Sequence, residues 1–378
     1  MVKIMKIYKI PTINESLFSF NLIFAGKDII SGDRHFLEHL LFKSNKIYNT
    51  ESLTKEITKL GGLNALKIET SPEEISIRAT ILKKDAPKII NLLNAILNES
   101  LFLEEEIEKE RKIILQEYYN RVKEQRNIYI RAFGNIFNED LSVIGPLENI
   151  ENMNGNHLIT LYNKLINRNN AILFLHNGED VLSLLNIKDG SHFNNIKEIK
   201  IKGDKEQEVG ELPFSVINLF YDEKPSLASY ALKDYLNEMD APFFRILREK
   251  KNYCYFVKAS QTFAGLNHLF PFFNTMCITM QKRNDLKKVS EELKKQFIVD
   301  NEEIYKNVLN TSALNKIKAK NDINLRFAFA YTTYLLDCSF EDLSNKPTWD
   351  DLRDFSCSVR EKLIGGTYIV GNENCKME

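Results

Sequence analysis

The stretch Asp33-Arg34-His35-Phe36-Leu37-Glu38-His39-Leu40-Leu41 decides how this chain is read. On a helix, His35 and His39 are one turn apart and share a face. Both imidazoles then reach one metal ion at about 2.0–2.1 Å. Glu38 sits beside that face, where a carboxylate takes a proton from a metal-bound water and relays it to a leaving amine. A bound zinc lowers the pKa of such a water from about 15.7 towards 7. The order H-x-x-E-H is the mirror of H-E-x-x-H and points to zinc-dependent peptide hydrolysis. Histidine is scarce, with 6 in 378 residues, which makes a chance match less frequent. The competing reading is two histidines that cap or line a helix.

A catalytic zinc takes a third protein ligand and leaves the fourth position open. The long charged helix expected from Phe102 to about Lys123 offers carboxylates. Glu110 and Glu117 are two turns apart on one face, against the apolar positions Ile113 and Ile114. A carboxylate turned towards a core needs a partner, and a cation is the best one. Spacing alone does not choose between Glu110 and Glu117.

Outward from this motif, residues 3–10 and 17–24 alternate as strands, and 33–43 is the motif helix. Thr50 reads as the N-cap of a helix over 51–60, stopped by Gly61-Gly62. Glu74 to Leu82 is a strand, and Asp85 to Asn98 has helical spacing. A loop is expected over 135–155, then a helix near 156–166 and a strand at 171–175. The second half repeats that order. Strands are expected at 214–221, 253–260, 270–280 and 367–370, and helices at 226–236, 242–250, 285–298, 302–320 and 347–362. Glu105-Glu106-Ile107-Glu108-Lys109 is echoed by Glu302-Glu303-Ile304-Tyr305-Lys306. Two copies of one α+β unit follow: a zinc-binding domain over 1–190, a linker over 191–211 and a homologous domain over 212–378.

Composition is that of a soluble globular protein, with 43% hydrophobic and 27% charged residues. A net charge of −1 gives no field that would favour nucleic acid. The five cysteines form no C-x-x-C pair and fit reduced thiols. The start of the chain alternates Lys with apolar residues rather than forming a signal-like apolar core. The apolar run from Phe327 to Leu336 is too short to span a bilayer. A cytoplasmic protein without membrane insertion is the expectation.

RHFLEHLLFKSN, LTKEITKLGGLNA and EEEIEKERKIILQE together resemble the pitrilysin/insulysin family of inverzincin metallopeptidases. The half-length, mitochondrial-processing-peptidase-like branch is the most similar. The resemblance implies two homologous α/β-sandwich domains, each a mostly antiparallel sheet with helices on one face, and a clam-shaped dimer. It implies Zn2+ on His35, His39 and Glu117, with Glu38 as general base and Glu110 as a supporting carboxylate seven positions before Glu117. Gly61-Gly62-Leu63-Asn64-Ala65 is similar to the segment that opens the family's substrate-binding edge strand, so Asn64 and Ala65 are implied to touch substrate. Arg248 and Tyr255 match an Arg/Tyr pair that reaches the scissile region across the chamber. The chain departs from the pattern at Ala25-Gly26-Lys27-Asp28, at Asp33-Arg34, at Phe42-Lys43-Ser44-Asn45, and at Asn252, where the family has Gly.

The function implied is a zinc endopeptidase for short or unfolded peptides, with peptide or leader maturation, as of a bacteriocin, as one task. Its partners would be the peptide and a second subunit, in a homodimer or a heterodimer with a homologous chain. The alternative is a non-catalytic or partner-dependent subunit of such a heterodimer. His157, His176, His192 and His268 read as surface or loop residues.

Overall fold

The computed structural model describes residues 5–11, 14–26, 31–62, 65–191, 198–262, 270–319, 322–339 and 342–372. They gather into two compact units. The first holds 1–122, 140–196 and 320–331; the second holds 123–139, 197–319 and 332–378. The units are thus not the contiguous stretches 1–190 and 212–378 expected from the sequence, because each includes a short segment from the other half of the chain.

In chain order the first half forms β1 (Lys6–Ile10), β2 (Leu17–Ala25), α1 (Asp33–Leu41), α2 (Thr50–Lys59), β3 (Leu66–Thr70) and β4 (Glu74–Leu82). Then come α3 (Ala86–Glu99), α4 (Glu104–Arg121), α5 (Gln125–Phe137), α6 (Leu147–Asn152), α7 (Gly155–Leu165) and β5 (Ala171–His176). The second half forms β6 (Lys205–Val209), β7 (Ser215–Tyr221), α8 (Leu227–Leu236), a π-helix (Phe243–Lys250), β8 (Phe256–Ser260) and β9 (Phe273–Thr279). It closes with α9 (Arg283–Lys295), α10 (Glu302–Ala319), α11 (Ile323–Leu336), α12 (Trp349–Glu361) and β10 (Leu363–Gly371).

The two sheets have the same design. Their strand orders are β1-β5-β2-β4-β3 and β6-β10-β7-β9-β8. In each, the first pair is parallel and the others are antiparallel. The five-residue echo lies at the start of α4 and α10, each 18 residues long. Its shared isoleucines, Ile107 and Ile304, are both buried.

Alternation along the strands sets the core of the first unit. Phe18, Phe20, Leu22 and Phe24 of β2 lie on one face with Ile75, Ile77, Ala79 and Ile81 of β4. That face is covered through Phe36 and Leu40 of α1, Ile89 and Leu93 of α3, Ile107 of α4 and Leu158 of α7. Each large side chain buried there contributes about 1.5–3 kcal/mol. The other face bears Asn21, Ile23, Ser76, Arg78 and Phe174, and residues of α11 up to Tyr331 lie against it. The Tyr331 ring stands edge-on to Phe174, with centroids 6.1 Å apart. In the second unit the far face of the sheet carries α5. Tyr129 Oη donates to Asn218 Oδ1 at 3.1 Å, and Phe133 lies against Phe220.

Several local expectations change. Asn49, not Thr50, caps α2, accepting from Ser52 N–H at 2.8 Å. Lys205–Val209, inside the expected linker, is strand β6, paired with β10. The expected loop over 135–155 contains the end of α5 and all of α6. Gly134 and Asn135 weaken the helical signal of α5, whose packing holds it helical. Ile113 is 45% exposed, and only Ile114 of that pair is buried. No helix among the described residues is long and apolar enough to cross a membrane.

Candidate metal centre

The motif helix is fixed at its start by backbone contact. Gly32, its N-cap, has φ +89, and a Cβ there would lie 2.7 Å from the Ile144 carbonyl oxygen. Gly145 opposite has φ +81, and its Cβ would lie 2.5 Å from the Ser31 carbonyl oxygen. Only glycine fits either place. The two charged residues before His35 are anchors. Asp33 is buried and accepts from His157 Nε2 of α7 at 2.6 Å. Arg34 is buried and donates through Nη1 to the Pro72 carbonyl at 2.5 Å, in the turn before β4. Burial lowers the Arg34 pKa to about 10, against the opposing charges of Glu73, Asp33 and Glu74.

Helix α4 is tied down as firmly. The Arg111 guanidinium donates to the carbonyls of Ile150, Glu151 and Met153 at the end of α6, and it lies 5.7 Å over the Phe36 ring. At the start of α4, Glu106 accepts from the Ser44 backbone and from the hydroxyls of Ser44 and Thr50. The Ser44-Asn45 departure after the motif is therefore a clamp between the α1–α2 loop and α4.

These constraints bring His35, His39 and Glu117 together, with their ligand atoms all within 4.8 Å of one another. His35 Nε2 is 3.6 Å from Glu117 Oε2, and His39 Nε2 is 3.7 Å from Glu117 Oε1. The opposite nitrogen of His39, Nδ1, is 2.9 Å from Glu110 Oε2. Lys43 Nζ holds the other Glu110 oxygen at 2.5 Å. Arg121 Nη2 stands 3.3 Å from Glu117 Oε2. Glu38 is half-buried. Burial raises its pKa, while the Thr70 hydroxyl, near it but not in hydrogen-bond geometry, draws it back down.

The three residues fit a zinc ion. A tetrahedral centre with bonds of about 2.0–2.1 Å places its ligand atoms roughly 3.4 Å apart, close to the separations found. Glu117 Oε2 is buried and accepts no hydrogen bond. Burial, with the His39 and Arg121 charges, lowers the His35 pKa to about 3, so its imidazole is neutral, the form that ligates. Glu110 is 5% exposed and fixes the ring of His39 through Nδ1, which leaves Nε2 towards Glu117. Spacing left Glu110 and Glu117 equivalent; they now differ, since Glu117 meets both imidazoles and Glu110 only the back of one.

The remaining sequence-derived residues lie elsewhere. Ala65 is buried at the entry to β3, and Asn64 lies outside the described residues. In the second unit, the Arg248 guanidinium lies 4.6 Å over Phe244 and 5.8 Å over Tyr255. Tyr255 is 73% exposed. Asn252, in place of the family's Gly, has φ +51, a conformation that Asn tolerates better than most residues. Sequence reasoning missed Lys43, Thr70 and Arg121. For Arg121 a signal existed, because it follows Glu117 by four positions on a helix. His176 is corrected, since it is fully buried in β5, whereas the His157 side chain is 40% exposed on α7 and pairs with Asp33. His192 and His268 lie outside the described residues.

Residues 25–148 match the family model described as Insulinase (Peptidase family M16). The chain is 24% identical over 292 residues to an uncharacterized zinc protease of Rickettsia bellii, covering 71% of this chain and 70% of the relative. It is 36% identical over 135 residues to the mitochondrial-processing peptidase subunit beta of Bos taurus, covering 34% of this chain and 27% of the relative. Its fold is that of a protease from Helicobacter pylori, with a TM-score of 0.78, 15% identity and 97% of both chains covered.

Proposed function

We propose that the chain, whose residues 25–148 match the model of the insulinase family of peptidases (family M16), is a zinc-dependent endopeptidase acting on short or unfolded peptides. The observation that carries this reading is the convergence of His35, His39 and Glu117, with Glu38 beside the histidines on the same helix. His35 Nε2, His39 Nε2 and Glu117 would hold the metal. Zinc bound there would polarise a carbonyl and lower the pKa of a water towards about 7. Glu38 takes the proton of the attacking water and carries it to the leaving amine nitrogen. Glu110 keeps the ring of His39 oriented, and Lys43 holds Glu110 in place.

Strand β3 is an edge of its sheet, so one row of its backbone N–H and C=O groups is open. A peptide adding there as a further strand gains main-chain hydrogen bonds with little sequence demand. Asn64 and Ala65 precede that strand in the sequence and would guide it. In this reading a second subunit, a copy or a homologue, supplies Arg248 and Tyr255 as donors to the substrate carbonyl. Maturation of a peptide or its leader is a task that suits such a site.

The test is a peptide-cleavage assay on zinc-loaded protein beside Glu38→Gln. Stoichiometric zinc in both is expected, with cleavage lowered by about 10²–10⁴ in the variant. Equal rates, or wild-type protein that takes up no zinc, would refute the reading. Activity that appears only after a homologous chain is added would replace the homodimer with a heterodimer.

A further inference from the structure

On the face of the first sheet away from α1 lies a cavity of about 560 Å³, within the first unit. Glu69, Glu74, Ser76 and Arg78 line it from β3 and β4, and the rings of Phe327 and Tyr331 form its wall. Arg78 Nη2 is already bound to Glu69 Oε2 at 2.6 Å. Glu74 has no such partner among the described residues: it accepts from the Tyr331 hydroxyl at 3.2 Å and forms no ion pair. Burial pushes its pKa up to about 7, with Glu73 adding to the rise and Tyr331, Arg34 and Arg78 opposing it. A half-buried carboxylate without a contacting cation, beside two aromatic rings, is a receptor for a positive charge on an apolar stem.

The cavity borders the metal centre. Thr70, the last residue of β3, lines the cavity and also stands beside Glu38. Glu69, which lines it too, acts on the Glu38 carboxyl through its charge. Side chains of a strand alternate between the faces of a sheet. A peptide strand added along β3 therefore turns one side chain towards α1 and the next towards the cavity. From this we infer that the cavity is a specificity pocket for a lysine or arginine side chain of the bound peptide, with Glu74 as its counter-ion.

This inference rests on the peptidase reading, and the experiment separates the two. Peptides identical except at one scanned position, which carries lysine, norleucine or glutamate, are cleaved by the zinc-loaded wild type and by Glu74→Gln. Zinc content and melting temperature establish that the variant is folded. At one position, wild type is expected to prefer lysine over norleucine about tenfold in kcat/KM, with glutamate poorest. In Glu74→Gln the ratio is expected to fall below about twofold. No preference for lysine in wild type, or an undiminished one in the variant, overturns the pocket and leaves the peptidase reading standing. If wild type cuts no peptide, the peptidase reading has failed. Fluorescence anisotropy with labelled lysine and norleucine peptides on zinc-loaded Glu38→Gln then decides the pocket: tighter lysine binding supports it and equal binding overturns it.

Discussion

The two units share a strand order and a helix order, yet only the first assembles a cluster of side chains that could hold a metal ion among the described residues. In the first, α1 packs on α4 with His35, His39, Glu110 and Glu117 at the contact. In the second, the matching pair is α8 and α10. Helix α8 contains no histidine. Aligning Ile304 with Ile107 puts Asn307 and Leu314 where α4 has Glu110 and Glu117. The space near α8 and α10 is instead filled by Tyr235, Tyr305 and Trp349, whose rings lie 6.2 and 6.3 Å apart in pairs around Trp349. The fold thus does not require the ionisable cluster. Burying Glu110 and His35 opposes folding unless each is compensated, and the first unit compensates with Lys43 on Glu110 and by keeping His35 neutral.

The largest effect expected from this contrast is in metal content. Metal analysis of dialysed protein should find one zinc per chain, and Glu117→Ala should reduce it to near zero because two imidazoles alone hold zinc poorly. Two zinc ions per chain would break the contrast between the units. Next in size is Glu110→Gln. It removes the charge behind His39 but not the ligand set, so zinc affinity or kcat/KM should fall by about 10–100-fold, measured by competition with a chelator and by peptide cleavage. A loss as complete as that of Glu117→Ala would show that Glu110 ligates directly. The smallest effect concerns the second unit. Asn252→Val should lower stability by about 1–2 kcal/mol in denaturant unfolding, because φ +51 strains a β-branched residue, whereas Asn252→Gly should change it little.

Much of the fold was legible. Strand β4 runs over the residues its alternation predicted, Glu74 to Leu82, and α1 and α7 lie within a residue or two of their expected spans. The repeat, faint as five letters, is carried by the whole strand order. Strand β6 was not legible, since Lys205-Glu206-Gln207-Glu208 reads as solvated linker. Only pairing with β10 makes it a strand. Nor could sequence show that 123–139 and 320–331 would each join the unit of the other half. Periodicity reports a buried face but not which sheet buries it.

In the site, the sequence by itself determined that His35, Glu38 and His39 lie on one turn of one helix, because helical spacing is a local property. It also limited the third member to carboxylates on α4. Which carboxylate faces the imidazoles, and what holds it there, was decided only by tertiary structure. The crossing of α1 and α4, set by the Gly32–Gly145 contact, the Arg111 bonds to the end of α6 and the Glu106 clamp, turns Glu117 towards both rings and Glu110 towards one. Two residues seven apart share a helix face, so only the position of a second helix can tell them apart.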